Sequence, residues 1–133
     1  MPGTLTFAVV GHCTPDAFAL RISLGSLFPG SDVVLINDDA ALNDALSTTK
    51  VCLINRELDG QFESSDGVEL IRSVLSGEGE HASMILVSNL EDAQQRAVEA
   101  GAHIGFGKSD LYNNTMHQSI ADALNSSSDR ESA

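Results

Sequence analysis

The sequence predicts an α/β fold, a doubly wound sandwich of five βα units. Three observations predict it. Five short apolar runs recur along the 133 residues, and four are nearly continuous aliphatic stretches, the pattern of strands buried on both faces. Segments with apolar residues at helical spacing separate the runs. Cap and stop residues fall at the joints.

The elements follow in order. Leu5–Val10 reads as the first strand. Thr14-Pro15-Asp16 then starts a helix: a hydroxyl cap, a proline at the first helical position, and an acid near the positive end of the dipole. Ala17, Leu20, Leu24, Leu27 and Phe28 continue at helical spacing until Pro29-Gly30 stops it. Val33–Ile36 is the second strand, followed by a short helix over Asp39–Leu46. Val51–Ile54 is the third strand, and Glu57–Ser65 is a longer loop than such a unit needs. Asp66 and Glu69 have capping-box spacing at the head of a helix over Asp66–Leu75. Met84–Val87 is the fourth strand, and Glu91–Ala100 is a helix ending at Gly101 as its C′ glycine. Ile104–Phe106, short and flanked by glycine, is the weakest strand. Leu111–Asn125 is the last helix, with Leu111, Met116, Ile120 and Leu124 on one stripe that reads as core. Residues 1–125 form one domain, and the polar stretch 126–133 is expected to be a flexible tail.

Composition narrows the function. The net charge of −12 disfavours nucleic-acid phosphates and anionic membranes as partners and favours proteins. No apolar stretch is long enough to span a bilayer, and the N-terminus lacks a basic region before a long apolar run, so a cytoplasmic protein is expected. Cys13 and Cys52 lack metal-like spacing and read as two reduced thiols. Cys13 sits at a strand end and Cys52 inside the third strand, as core. The histidines lie in separate elements, so no metal and no cofactor is expected. In a fold of this class the site lies at the carboxyl ends of the strands, near the switch point.

Two stretches go further. Val51-Cys52-Leu53-Ile54-Asn55, followed by Asp66-Gly67-Val68-Glu69-Leu70-Ile71-Arg72, resembles the receiver domains of response regulators: an aliphatic strand, an aspartate, a loop, then an Asp-Gly-x-Glu-Leu pattern. Ile85-Leu86-Val87-Ser88, Glu99-Ala100-Gly101-Ala102 and Lys108 resemble the second half of that family. The resemblance spans nearly the whole chain. It implies a CheY-like, flavodoxin-like (βα)5 sandwich with a five-stranded parallel sheet in the order 2-1-3-4-5.

In that family a strand-end aspartate takes a phosphoryl group, an acidic pair after the first strand holds Mg²⁺, and a Ser/Thr and a lysine contact the phosphoryl oxygens. Here the acceptor position is Asn55, whose amide cannot form an acyl phosphate, and the acidic pair falls on Gly11 and His12, which offer no side-chain carboxylate. Ser88 and Lys108 stand where the hydroxyl and lysine belong, but Ser109 replaces the proline that often follows the lysine. The aromatic switch position is Gly105, and Phe106 points to the other face of its strand. The resemblance therefore implies a degenerate receiver, not an enzyme. Its partners are signalling proteins, a histidine kinase or another regulator among them, and the family's α4-β5-α5 face is a candidate homodimer surface. By resemblance the outward side chains there are Gln94, Gln95, Glu99, Tyr112, His117 and Gln118.

Other readings stay open. Gly11, His12, Asn55, Ser88 and Lys108 could form a neutral-to-positive pocket for a small anion. Lys108 could instead pair with another acid, such as Asp38, Asp39 or Glu57, or reach solvent, and Ser88 could simply cap the next helix. Val10-Gly11-His12-Cys13-Thr14 could serve a ligand-binding domain or enzyme on the same sandwich, although it lacks a Gly-x-Gly-x-x-Gly pattern. Asp59 or Glu57 could act as a shifted phosphoryl acceptor.

Overall fold

A computed structural model describes residues 5–76 and 82–132, with 126–132 as backbone alone. Five strands alternate with five helices: β1 (Thr6–Val10), α1 (Thr14–Leu27), β2 (Asp32–Ile36), α2 (Asp39–Ala45), β3 (Val51–Asn55), α3 (Gly67–Ser76), β4 (Ser83–Val87), α4 (Glu91–Glu99), β5 (His103–Phe106) and α5 (Asn114–Ser132). The sheet runs in the order β2-β1-β3-β4-β5 and every pairing is parallel. This is the predicted architecture and strand order.

Strand alternation divides the core into two layers. Ala8, Val10, Cys52, Ile54, Met84 and Leu86 pack on one face with Leu42, Val68, Ile71, Ala93 and Ala97 from α2, α3 and α4. Phe7, Val9, Leu53, Ile85 and Val87 pack on the other with Ala17, Leu20 and Leu24 of α1 and Met116, Ile120 and Ala123 of α5. The stripe on the last helix is thus core at Met116 and Ile120, with Leu111 and Leu124 partly buried against it. Every residue of β3 and β4 is buried, as continuous aliphatic runs require. β2 departs from that pattern: as an edge strand it leaves Val34 37% and Leu35 46% exposed.

The caps sharpen the boundaries. Asp38 caps α2 by accepting the Ala41 amide at 2.7 Å, and Asp66 accepts the Val68 amide at 2.8 Å at the head of α3. The reciprocal half of the expected capping box is missing, because Glu69 pairs with Arg72. Gly101 ends α4 as expected: its amide donates to Val98 O and the Ala102 amide to Ala97 O, the paired bonds of a Schellman turn. Thr14 is not a cap. The N-cap is Cys13, whose side chain makes no capping bond. The last helix starts at Asn114, where Asn113 Oδ1 accepts the Met116 amide at 3.2 Å, and continues to Ser132, past the expected end at Asn125.

Candidate functional site

The carboxyl ends of β1, β3 and β4 surround an open cleft of about 590 Å³. Asn55, Ser88 and Lys108 line it, together with Cys13 and Asp16 from the head of α1 and Arg56, Glu57 and Asp59 from the loop after β3. Three of the five expected pocket residues therefore meet. Gly11 and His12 are not among the lining side chains.

Gly11 shapes the floor through its backbone. Its φ is +71°, a conformation that favours glycine, and a Cβ there would also press on the end of the Leu58 side chain at 2.5 Å. Its carbonyl accepts the Asp59 amide at 2.8 Å and the Asn55 side-chain amide at 3.0 Å. Asn55 Nδ2 also donates to Glu57 O at 2.7 Å. Two carbonyl oxygens on one side of the amide identify that side as NH₂. Asn55 is buried, and it ties the β1 turn to the β3 loop with hydrogen atoms that a carboxylate does not have.

His12 folds inward beneath α1. Its Nε2 lies 3.0 Å from Leu53 O; a carbonyl only accepts, so Nε2 carries the proton. Nδ1 has no hydrogen-bond partner among the described residues. Burial drives the pKa down to about 4, with the Leu53 bond opposing and the Lys108 charge adding to the shift, so the ring is neutral at pH 7. The ring borders a separate hollow beside Val9, Phe18 and Leu35.

Lys108 Nζ donates to Asp16 Oδ2 at 2.6 Å. Lys108 thus pairs with an acid, as weighed, though that acid is Asp16 and not Asp38, Asp39 or Glu57. The Lys108 ammonium holds the Asp16 carboxyl below its usual range, and the neighbouring Cys13 thiol adds to the effect. In the sequence Asp16 reads only as a first-turn acid suited to the helix dipole. The missed signal is that α1 begins at the site, so its first turn looks into the cleft. Ser88 Oγ accepts the Leu90 amide at 3.1 Å, a local turn before α4 and not the helix cap weighed for it, since the N-cap is Leu90 without a side-chain cap bond; its position on the cleft is kept.

The aromatic switch position is filled from elsewhere. Gly105 lies opposite Gln94, whose side chain reaches across it: the Gly105 amide donates to Gln94 Oε1 at 3.2 Å. Gln94 was expected to face outward and does not, because the β4–β5 bulge offers backbone groups that its amide satisfies. Phe106 points to the opposite face, as expected, into the layer of α1 and α5. His117 is exposed, as an outward side chain should be, and its ring stacks on Phe28 at the end of α1 with centroids 5.0 Å apart. Gln95, Glu99, Tyr112 and Gln118 are exposed. Gln118 donates to Asp122 and borders a shallow hollow with Ile104.

Among the described residues no group of three or more histidine, cysteine or acidic side chains could hold a metal ion, and no helix is long and apolar enough to cross a membrane. No family model matches the chain, and no curated protein sequence matches it. Solved structures do. The signal receiver domain of a modulated diguanylate cyclase from Desulfovibrio desulfuricans G20 is 26% identical, with 96% of this chain and 99% of that one covered at a TM-score of 0.68. The signal receiver domain of a DNA-binding response regulator from Colwellia psychrerythraea 34H is 18% identical, covering 91% and 98% at 0.69. A CheY-like receiver domain from Methylobacillus flagellatus is 16% identical, covering 94% and 99% at 0.62. The chain has the fold of the response-regulator receiver domains of two-component signalling, the CheY-like sandwich.

Proposed function

We propose that this chain is a receiver-like signalling module that does not accept a phosphoryl group and acts by docking on other proteins. The observation that carries the reading is Asn55. It stands at the strand end facing the cleft, and its NH₂ is committed to two backbone carbonyls. It is neither a nucleophile nor free to become one. The surroundings agree. Gly11 contributes only backbone to the site, and His12 turns its one unprotonated nitrogen into the interior. The carboxylate nearest Lys108 is Asp16, which offsets its charge and weakens the anion-pocket reading. The partners of such a module are signalling proteins, a histidine kinase or another regulator. The exposed side chains Gln95, Glu99, Tyr112, His117 and Gln118 around α4, β5 and α5 are the candidate docking or homodimer face.

The test is incubation with a small phosphodonor and Mg²⁺, read by intact mass. The expected outcome is an unchanged mass. A stable phosphoryl adduct on Asp59 or Glu57 would overturn the reading in favour of a shifted acceptor.

A further inference from the structure

Gln94 is placed to control α4. Helix α4 buries only Ala93 and Ala97, two small side chains that anchor it weakly to the sheet. Gln94 supplies the missing anchor. Its Nε2 lies 2.8 Å from Leu86 O, 3.0 Å from Ser88 O and 3.2 Å from Phe106 O, and its Oε1 accepts the Gly105 amide. The register of β4 and β5 shifts between Ile85 and Val87. Phe106 O already accepts the Ser88 amide, so the two hydrogens of the Gln94 NH₂ serve chiefly Leu86 O and Ser88 O, while its oxygen takes the Gly105 amide at the bulge.

The room for this bridge comes from Gly105. A Cβ at that position would stand 2.1 Å from Leu86 O and 2.7 Å from Gln94 Oε1. A side chain at position 105 would therefore meet the β4 backbone first and the Gln94 amide next, so glycine suits both the strand pairing and the bridge. We propose that Gln94 locks α4 against the β4–β5 bulge in a single arrangement, so that the α4–β5 surface is presented constitutively and does not answer to events in the cleft. The proposal deepens the docking reading and rests on it: a module whose cleft takes no phosphoryl group needs its surface already set.

The experiment is amide hydrogen exchange on the full chain, comparing the wild type with Gln94→Leu, which keeps the bulk and removes the bonds. The expected result is exchange about tenfold or more faster in α4 and at Gly105 and Phe106, with β1 and β3 unchanged. No change, or a uniform acceleration across all core amides, would overturn the lock. If Gln94→Leu does not fold, Gln94→Ala is the second variant; it removes the same bonds with no added bulk and should produce the same local pattern. Exchange of the wild type with phosphodonor and Mg²⁺ separates the two readings. A phosphoryl adduct with α4 exchange unchanged refutes the lost chemistry and supports the lock, whereas an adduct that loosens α4 refutes both.

Discussion

Restoring the aspartate is the obvious perturbation of this site, and the structure predicts that Asn55→Asp does harm. Asn55 Nδ2 donates to Gly11 O at 3.0 Å and to Glu57 O at 2.7 Å, and the residue is 8% exposed. Each bond contributes about 1 kcal/mol, so losing both costs about 2 kcal/mol. The ionised carboxylate then faces two carbonyl oxygens with little water to screen it, which brings the total to about 2–4 kcal/mol. For a chain of this length that is a fall in Tm of roughly 8–16 °C. The sign with pH follows from burial. The new carboxyl has its folded pKa raised above the unfolded value of about 3.9, so the folded state binds more protons and relative stability falls as pH rises through that window. Protonation returns one donor. The assay is denaturant unfolding of the wild type, Asn55→Asp and Asn55→Ala at several pH values. Asn55→Asp should be the least stable at neutral pH and approach Asn55→Ala near pH 4. A variant as stable as the wild type at pH 7, with no added pH dependence, would refute the assigned hydrogen-bond geometry.

Two further predictions follow from buried groups. His12 has its folded pKa depressed to about 4 from an unfolded 6.5, so the unfolded state binds more protons between these values and stability is lost as pH falls through that window. The loss between pH 7 and pH 5 should be about 2 kcal/mol; His12→Gln should flatten that slope, and an unchanged slope would remove His12 as its origin. Cys52 is buried, which pushes its thiol up to about 12, whereas Cys13 is half-buried on the cleft rim. Iodoacetamide should add once to the folded chain, at Cys13, and reach Cys52 only on unfolding; two rapid native adducts would contradict the placement of β3.

The sequence alone determined the architecture, because strand burial and helix amphipathicity are written in local periodicity. The aliphatic runs of β3 and β4 and the Gly101 stop are consequences of neighbours within a few residues. The sequence also showed, through its resemblance to receivers, that Asn55, Gly11 and His12 lack the family's carboxylates. What the tertiary structure decided is where the polar side chains spend their hydrogen bonds. Lys108 meets Asp16 across 92 positions of chain, His12 finds Leu53 O from 41 away, and Asn55 finds Gly11 O from 44. Gln94 looks like a surface residue in any helical wheel until a bulge eleven residues later, with glycine at its centre, opens a place for it. Such partners are set by the crossing of distant elements, and no local pattern encodes which of many nearby acids or carbonyls a side chain reaches.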